Sequence, residues 1–458
     1  MDLDDAKPQK TKDLEVPCAT EGEALVAKRT AEAEPAAHGN ERSGTSGLME
    51  AVVERRNLQA ALKRVKQNRG SPGIDGMTVD QLPDHLRVHW SSLREQLLAG
   101  AYQPQPVRRR TIPKSGGGQR ELGIPTVTDR FIQQAILQIL QPRFDPTFSQ
   151  HSHGFRPKRS AHDAVREAQR YVQQGRSWVA DVDLEKFFDR VNHDVLMGRL
   201  ARRIGDRRLL GLIRRYLTAG VMASGVVTER HEGTPQGGPL SPLLANVLLD
   251  DVDKELEKRG HAFVRYADDC NVYVRSRRAG ERVMQALRRL YAKLRLRINE
   301  SKSAVAPVKD RKFLGYTFWV SPKGEVRRRI ARKALDAMKD RVRRMTSRVR
   351  GRSLAQVCLD LRAYLPGWKA YFRLEELPGV FRGLDGWIRH RLRALQLKHW
   401  RRGPTIFREL RARGMLPRDA RRVAGNARSW WLNSGMFIIN FALPNKLFDA
   451  LGLPRLAA

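Results

Sequence analysis

The stretch Tyr266-Ala267-Asp268-Asp269 constrains the fold of this chain more than any other. Apolar, β-prone residues stand on both sides of it, Phe263-Val264 before and Val272-Tyr273-Val274 after. This pattern predicts a β-hairpin with the two acidic residues at its tip. Because neighbouring side chains of a strand point to opposite faces, both aspartates can serve one site only if the turn redirects one of them.

A second acidic strand lies upstream, in Trp178-Val179-Ala180-Asp181-Val182-Asp183-Leu184. Strand alternation puts Ala180, Val182 and Leu184 on one face and both aspartates on the other. Carboxylates from two neighbouring strands suit a two-metal phosphoryl-transfer site, because Mg²⁺ prefers oxygen ligands and two ions about 4 Å apart can activate one oxygen and stabilise another. The alternative is an acidic turn that is merely solvated, which is common.

The charge of the chain argues against that alternative. Its 458 residues include 86 Lys and Arg against 49 Asp and Glu, a net charge of +37, so an acidic pair between apolar strands is not background composition. The excess predicts a polyanionic partner, nucleic acid first and an acidic membrane surface second. No apolar run of about 18 residues occurs, and the first residues lack the pattern of a signal peptide.

Cysteine and histidine usage gives no sign of a disulfide scaffold or a zinc site. Cys18, Cys270 and Cys358 are far apart in the sequence, which favours a reducing compartment. The segment His151-Ser152-His153 is interpreted as part of a loop rather than as a metal site, because no cysteine is near it.

Composition divides the chain into segments. Residues 1–48 contain ten acidic and six basic residues and are predicted to be a disordered acidic leader. Alternating strand and helix patterns follow, which predict a sheet with helices packed on it. From residue 327 to 422 there are 28 basic and 8 acidic residues, which predict a basic helical domain. Its apolar residues recur at helical spacing: Ala334, Leu335, Met338, Val342, Met345 and Val349. Aromatic residues interleaved with the charge favour RNA binding over a solvated helix face: Tyr364, Trp368, Tyr371, Phe372, Trp387 and Trp400.

With these segments in order, residues 50–458 resemble the reverse transcriptases encoded by bacterial group II introns, also called maturases. The resemblance is carried by long motifs in the family's order: RTIPKSGGGQRELGIPTVTDRFIQQAI from Arg110, HSHGFRPKRSAHDAV from His151, VADVDLEKFFDRVNHD from Val179, GTPQGGPLSPLLANVLLD from Gly233, RYADDCNVYV from Arg265, LRINESKS from Leu296, KFLGYTF from Lys312 and YLPGWKAYF from Tyr364.

The resemblance implies a fold class of α+β, with the right-hand polymerase fold. Fingers and palm, with a small antiparallel sheet, would occupy residues 49–325, and an all-helical basic thumb or maturase domain that binds RNA would occupy residues 326–400. A basic C-terminal segment, 401–458, is a candidate for DNA binding, with Trp430 and Trp431. Because no Cys or His follows His399, the chain resembles the family members that lack an endonuclease domain.

The resemblance also implies the site residues. Asp183, Asp268 and Asp269 would be catalytic and would bind two Mg²⁺ ions. Asp183 is preferred to Asp181 because Phe187-Phe188 and Asp189 follow it at the family's offsets. Further residues would bind the dNTP: Lys114 and Arg120 at the triphosphate, Phe188 under the deoxyribose, Gln236 and Gly237 at the nascent base pair, and Lys302 at the leaving pyrophosphate. For Phe188, a plain core position is the alternative.

The implied function is an RNA-directed DNA polymerase that also binds its group II intron RNA, assists splicing and copies the intron into DNA. Its partners would be intron RNA, a DNA primer or target and dNTPs, with no membrane, in the bacterial cytoplasm and with no oligomeric state assigned. Two alternatives stay open. One is a non-catalytic RNA-binding splicing cofactor, and the other is a reverse transcriptase recruited to phage defence or CRISPR adaptation. A group II intron ribozyme fold in the flanking DNA would exclude the second.

Overall fold

A computed structural model describes residues 47–113, 119–223, 226–228, 232–234, 237–349 and 351–457. The predicted leader therefore lies almost wholly outside the described residues. The rest divides into two compact units. The first ends at Arg328, and the second begins at Arg329. The assignment of a role to each predicted segment stays a prediction.

The first unit is built from nine helices among its described residues, with helical turns between them. These helices are α1 Leu48–Val52, α2 Arg55–Asn68, α3 Leu82–Leu98, α4 Val127–Phe144, α5 Ala161–Gln173, α6 His193–Ala201, α7 Arg207–Thr218, α8 Ser241–Lys258 and α9 Arg277–Lys293. The chain leaves the helical conformation between α1 and α2. There Glu54 takes an extended conformation, and its carboxylate accepts a hydrogen bond from the Arg56 N–H (3.3 Å), which starts a new helix.

Ten strands form three sheets in the described part of the chain. They are β1 Val107–Pro113, β2 Gln119–Ile124, β3 Trp178–Val182, β4 Val221–Ala223, β5 Val226–Thr228, β6 Ala262–Tyr266, β7 Asp269–Val274, β8 Ala304–Pro307, β9 Tyr316–Val320 and β10 Val326–Ile330. The first sheet has the order β2-β1-β4-β5 and contains the antiparallel hairpin of β1 and β2. The central sheet has the order β6-β7-β3-β8, with every pair antiparallel. Strands β9 and β10 form the third sheet.

The central sheet buries the face that its sequence pattern predicts. Ala180 and Val182 of β3 are 0% exposed and Leu184 is 4% exposed, and they belong to one apolar core with residues of α4, α8 and α9. Helix α9 packs on β3, β7 and β8, and α5 packs on β6. One face of β3 is thereby fixed in the core, so its aspartates lie on the opposite face.

The second unit is helical after the end of β10. Its helices are α10 Arg332–Met345, α11 Leu354–Tyr371, α12 Pro378–Trp400, α13 Gly403–Ala412, α14 Pro417–Gly425, α15 Trp430–Ser434, α16 Phe437–Ala442 and α17 Asn445–Ala450. Met338 and Val342 of α10 enter its core, as the helical spacing predicts. Val349 follows the end of α10 and is 81% exposed, so its predicted place on this helix is wrong. The predicted fold class, α+β with a small antiparallel sheet and a following helical unit, is confirmed.

The six aromatic residues predicted to contact RNA differ in how deeply the second unit buries them. Phe372 and Trp400 are buried, and Tyr364, Trp368 and Trp387 pack against the same apolar cluster. Their spacing matches RNA-stacking aromatics and core aromatics equally well, and RNA contact by the partly exposed ones stays a prediction. Among the described residues, Cys270 and Cys358 are buried free thiols, and no helix is long and apolar enough to cross a bilayer.

Candidate active site

The acidic motif lies at the tip of the hairpin that β6 and β7 form. Their antiparallel pairing continues to Tyr266 opposite Asp269, which leaves Ala267 and Asp268 as the turn. Ala267 has a φ of 55°, a left-handed conformation that a residue with a Cβ rarely takes. The chain therefore turns within two residues, and Asp268 precedes the first residue of β7. The predicted hairpin is confirmed.

Strand β3 pairs with β7 and brings the third aspartate to the same end of the sheet. The register runs through Asp181 opposite Asn271 and Val182 opposite Cys270. Continued by one residue, it brings Asp183 opposite Asp269. Residues opposite one another on antiparallel strands share a face and have Cβ atoms about 5 Å apart. The backbone therefore brings all three predicted aspartates to one edge.

Asp181 lies on the same face of β3 but is engaged by other side chains. Its carboxylate accepts from Arg311 Nη2 and Nε, at 2.5 and 2.7 Å. The Asn271 side-chain amide, oriented to donate, lies 2.8 Å from Asp181 Oδ1. Burial raises the pKa of Asp181, although Arg311 acts in the opposite direction. These contacts engage the Asp181 carboxylate and agree with the prediction that it is a neighbour of the site, which stays a prediction.

The turn that contains Lys302 packs directly on Asp183. The Asn299 N–H donates to the Asp183 carbonyl (2.8 Å), and the Asp183 N–H donates to Ser303 Oγ (3.0 Å). Lys302 Nζ lies 3.8 Å from Asp183 Oδ2, in a pair whose side chains are 58% and 33% exposed. At that exposure the pair contributes at most about 1 kcal/mol. Its importance is that it brings a cation to the predicted metal edge.

A buried cluster that the motifs alone did not reveal supports the hairpin turn. Arg265, 0% exposed, donates to both oxygens of Asp253 (2.6–2.9 Å), to Asn246 Oδ1 (2.9 Å) and to the Ala267 carbonyl (2.7 Å). The Asn246 amide in turn donates to the Gly154 carbonyl (3.0 Å). Asp253 and Asn246 are both on α8, so this helix fixes the turn through one guanidinium. The arginine at the start of the RYADD motif is the only local signal of this role.

The His151-Ser152-His153 segment runs beside β6 and binds a carboxylate of α5. The imidazole Nδ1 of His151 donates to Glu167 Oε1 (2.5 Å), and the imidazole Nε2 of His153 donates to Glu167 Oε2 (2.6 Å). The Tyr171 hydroxyl also donates to Glu167 (2.8 Å). Burial opposes ionisation of Glu167, but these three hydrogen bonds outweigh it and lower its pKa to about 2. The two histidines are thus accounted for by a carboxylate partner.

The segment and β6 are also joined through their backbones. The His153 N–H donates to the Arg265 carbonyl, and the Arg265 N–H donates to the His151 carbonyl, both at 2.9 Å. Gly154 follows, and its Cα faces the backbone of Ala267 so closely that a Cβ there would overlap it. The backbone of the hairpin turn is therefore in direct contact with this segment.

The remaining predicted residues are described only in part. Phe188 is 9% exposed and contacts Phe187 edge-on, with ring centroids 5.1 Å apart. Gly237 has a φ of 135°, and a Cβ there would lie 2.8 Å from the Gly123 carbonyl oxygen, so the loop approaches β2 closely. Arg120 is on β2, opposite Ile112. The Arg120 side chain, Lys114 and Gln236 lie outside the described residues.

The donor set suits a hard cation, since carboxylate oxygens are the ligands that Mg²⁺ prefers. In the side-chain conformations of the structure, no group of three or more His, Cys, Asp or Glu among the described residues is arranged to bind a metal ion. The carboxylate donors suit a divalent cation, while the identity of the ion, the ligand set and the number of ions stay predictions.

Comparisons with known proteins agree with this arrangement. Residues 112–318 match the family described as reverse transcriptase (RNA-dependent DNA polymerase), and residues 335–414 match the group II intron maturase-specific domain. Protein YkfC of Escherichia coli (strain K12) is 34% identical over 305 residues, which are 57% of this chain and 80% of that protein. The group II intron-encoded protein LtrA of Lactococcus lactis subsp. cremoris is 37% identical over 195 residues, or 42% of this chain and 32% of LtrA.

Among solved structures, a chain of a partial Cas6-RT-Cas1–Cas2 complex is similar at 27% identity and a TM-score of 0.35, over 56% of this chain and 43% of that one. That likeness is too low to support a conclusion. The family matches and YkfC suffice: the chain belongs to the reverse transcriptases, RNA-directed DNA polymerases, that carry a group II intron maturase-specific domain. The predicted family and enzyme class are confirmed, and enzymes of this family use divalent metal ions.

Proposed function

We propose that this chain extends the 3′-hydroxyl of a DNA primer on an RNA template with dNTPs, and that Asp183, Asp268 and Asp269 bind two Mg²⁺ ions for this reaction. The observation that carries the proposal is the antiparallel register of β3 and β7, which supports a position for Asp183 opposite Asp269. Two such ions, when bound, activate the attacking hydroxyl and stabilise the charge that develops on the leaving pyrophosphate.

Other side chains are proposed to orient the dNTP at this edge. Lys302, 3.8 Å from an oxygen of Asp183, is near enough to neutralise a pyrophosphate that leaves from the same edge. Arg120, on β2, and Lys114, which follows β1 in the sequence, would bind the triphosphate from two sides. Phe188, whose ring is almost wholly buried, would contact the deoxyribose and exclude a 2′-hydroxyl.

Gln236 and Gly237 are proposed to line the nascent base pair. Gly237 combines a positive φ with a close approach to the backbone of β2, which supports the need for glycine there. A residue with a side chain would separate this loop from the strand on which Arg120 lies.

The helical unit is proposed to bind the group II intron RNA and to stabilise its catalytic fold during splicing. Residues 327–422 carry 28 basic and 8 acidic residues, and the maturase-specific match lies within this range. Exposed arginines contact phosphates without reading sequence, which suits a large folded RNA. The intron copied into DNA would be the joint product of binding and synthesis, with residues 401–458 a candidate for contacts to target DNA.

The two alternatives make different demands on the site. A non-catalytic splicing cofactor does not need three aspartates at one sheet edge in a chain of net charge +37. A reverse transcriptase recruited to phage defence or CRISPR adaptation does not need a maturase-specific domain, so the match at residues 335–414 favours the intron reading.

Primer extension on an RNA template with Mg²⁺ tests the polymerase proposal. Wild-type protein is expected to incorporate dNTPs in preference to rNTPs. Asp268→Ala should abolish synthesis and leave affinity for structured RNA nearly unchanged, because it removes a metal ligand and no phosphate contact.

A matched control is Asp310→Ala. Asp310 is an exposed aspartate of the same unit, on the helical turn Val308–Asp310 after β8, and its removal should leave synthesis intact. Synthesis retained by Asp268→Ala would refute the site assignment. No synthesis by the wild type, with tight RNA binding, would instead support the non-catalytic cofactor.

A further inference from the structure

A basic pocket in the unit of residues 329–457 has no role in the chemistry proposed above. Its volume is about 580 Å³, and it lies between α12 and the segments that contain α16, α17 and the residues after them. Its lining includes Arg382, Asp385, Arg389, Arg393, Asn445 and Arg455.

The sequence of α12 explains why four of these residues share one face. Arg382, Asp385, Arg389 and Arg393 follow one another at intervals of three or four residues, so their side chains form one stripe along the helix. Arg389 and Arg393 are 4% and 7% exposed, whereas Arg382 is exposed at the rim. Two guanidinium groups are therefore buried side by side, one helical turn apart.

The acidic groups nearby do not balance these cations. Asp385 lies 3.3 Å from Arg389 Nη1, but its carboxylate also accepts hydrogen bonds from two backbone N–H groups of the C-terminal segment. Asp449 lies 3.4 Å from Arg389 Nη2 and also pairs with Arg455. The pocket thus holds four arginines, the two carboxylates nearby pair only with Arg389 and Arg455 among the described residues, and the contacts of Arg389 are at the long end of hydrogen-bond distances.

The two buried arginines also have donors to spare. Arg393 donates to the Leu443 carbonyl and to Asn445 Oδ1, both at 2.9 Å. No carboxylate of the described residues pairs with Arg393 or Arg382. Burial and the neighbouring Arg389 lower the pKa of Arg393. Arg389 Nε is buried and has no hydrogen-bond partner in the described part of the chain. Buried positive charge with unmet donors is costly unless an anion completes it.

We propose that this pocket binds a phosphate group, with Arg393, Arg389 and Arg382 as its main contacts. Guanidinium groups bind tetrahedral oxyanions through paired N–H donors, and converging arginines are typical of phosphate sites. The volume of the pocket exceeds that of a single anion, so the phosphate can belong to a larger molecule. Two sources share this chemistry, a free phosphate compound and the phosphate at the end of a polynucleotide.

The alternative is that the arginines serve only to attach the C-terminal segment to α12. Asp385 already contacts the backbone of that segment, so this role needs no ligand. The phosphate-site proposal and the attachment alternative differ in two expectations. Only the proposal expects saturable phosphate binding by the wild-type protein, and only the proposal expects Arg382 to contribute to it. Arg382 makes no ion pair among the described residues, so an attachment role would not involve it.

Isothermal titration of the full chain with inorganic phosphate, at fixed ionic strength set by chloride, tests the proposal. One saturable site is expected, and Arg382→Gln and Arg393→Lys should each weaken it by about tenfold or more, since the first removes a charged donor and the second removes the paired N–H donors of a guanidinium. Arg418→Gln, at an exposed arginine of the same unit outside the pocket, is the matched control and should bind as the wild type does. Asp268→Ala should also bind normally, which separates this site from the polymerase site.

The absence of saturable binding by the wild type would overturn the proposal, as would equal binding by the wild type and both pocket variants. If Arg393→Lys does not fold, the rim variant Arg382→Gln still decides the question. Competition by a 5′-phosphorylated oligonucleotide, compared with the same oligonucleotide without its phosphate, identifies the source. Displacement by the phosphorylated form alone assigns the site to a polynucleotide end, and displacement by neither form assigns it to a free phosphate compound.

Discussion

Gly154 is the position at which a single methyl group should displace the proposed catalytic turn. A Cβ at this residue would lie 2.1 Å from the Ala267 nitrogen, 2.9 Å from the Tyr266 carbonyl carbon and 3.0 Å from the Ala267 Cα. All three are backbone atoms, so no side-chain rotation relieves the overlap. Because real Cβ atoms essentially never approach closer than 3.0 Å, the turn or the segment with Gly154 must move by about 0.9 Å in Gly154→Ala.

This displacement sets the expected size of the effect. A misplacement of about 1 Å in a catalytic group can lower a rate by about 100-fold, and overpacking a well-packed region costs about 1–3 kcal/mol. We therefore expect Gly154→Ala to lower the single-turnover rate of dNTP addition by about 10- to 100-fold. Its affinity for RNA should be unchanged, because the substitution removes no basic residue.

The measurement is single-turnover primer extension at saturating dNTP, with thermal unfolding and RNA binding measured on the same protein. Gly198→Ala is the matched control, since Gly198 lies on α6 and a Cβ there would have no neighbour within 4 Å. This control should be as active as the wild type and up to about 1 kcal/mol more stable. Wild-type rates in a normally folded Gly154→Ala protein would refute the reasoning that this contact fixes the turn.

Three further predictions concern the turn, the RNA and the histidine cluster. Arg265→Lys keeps the buried charge, but a lysine cannot reach Asp253 and the Ala267 carbonyl together. The rate of dNTP addition should therefore fall about tenfold, and the Mg²⁺ concentration needed for half-maximal activity should rise. An unchanged Mg²⁺ titration would contradict this. Binding of structured RNA, followed by filter binding between about 50 and 200 mM salt, should weaken steeply, and a flat salt dependence would remove the electrostatic explanation. Glu167 has a pKa lowered from 4.5 to about 2, so the stability it contributes is complete above pH 4.5 and is lost as pH falls toward 2. The difference in unfolding free energy between wild type and Glu167→Gln, from urea titrations, should shrink over that range, and a constant difference would show that the ionised carboxylate does not contribute.

Local patterns in the sequence predict the elements that carry the site. Alternation around Asp268 predicts the hairpin, and alternation around Asp183 predicts which face of β3 is buried, because both follow from the two-residue period of a strand. The same period cannot distinguish Asp181 from Asp183, since both point to one face. The family's offsets predict Asp183, and the structure adds a contact that engages Asp181 instead with Arg311, which is 130 residues away in sequence and reaches it only in the folded chain.

Where packing decides, local patterns fail. Trp368 and Phe372 recur at helical spacing in a strongly basic stretch, which suits RNA stacking and core packing alike; Phe372 is buried, and Trp368 packs against the apolar core. The HSH segment is a loop, as predicted, but its carboxylate partner, Glu167 on the following helix, is not indicated by the local sequence. In each case the missing information is a contact between segments that the sequence does not place side by side.

The hairpin turn joins two features that are each unfavourable by themselves. Ala267 has a left-handed φ of 55°, which costs on the order of 1 kcal/mol for a residue with a Cβ, and Arg265 is a fully buried cation, whose desolvation costs several kcal/mol. Replacement of a buried ion pair by apolar residues is often neutral for stability, so stability alone does not explain why Arg265 and Asp253 are there. The same holds for an apolar replacement of this pair. It would, however, leave the Ala267 carbonyl without its 2.7 Å hydrogen bond and free the turn to relax. The buried pair is therefore best explained by geometry: it fixes a strained turn whose two neighbouring carboxylates, in the proposed site, would have to be positioned to within about 0.5 Å to act together.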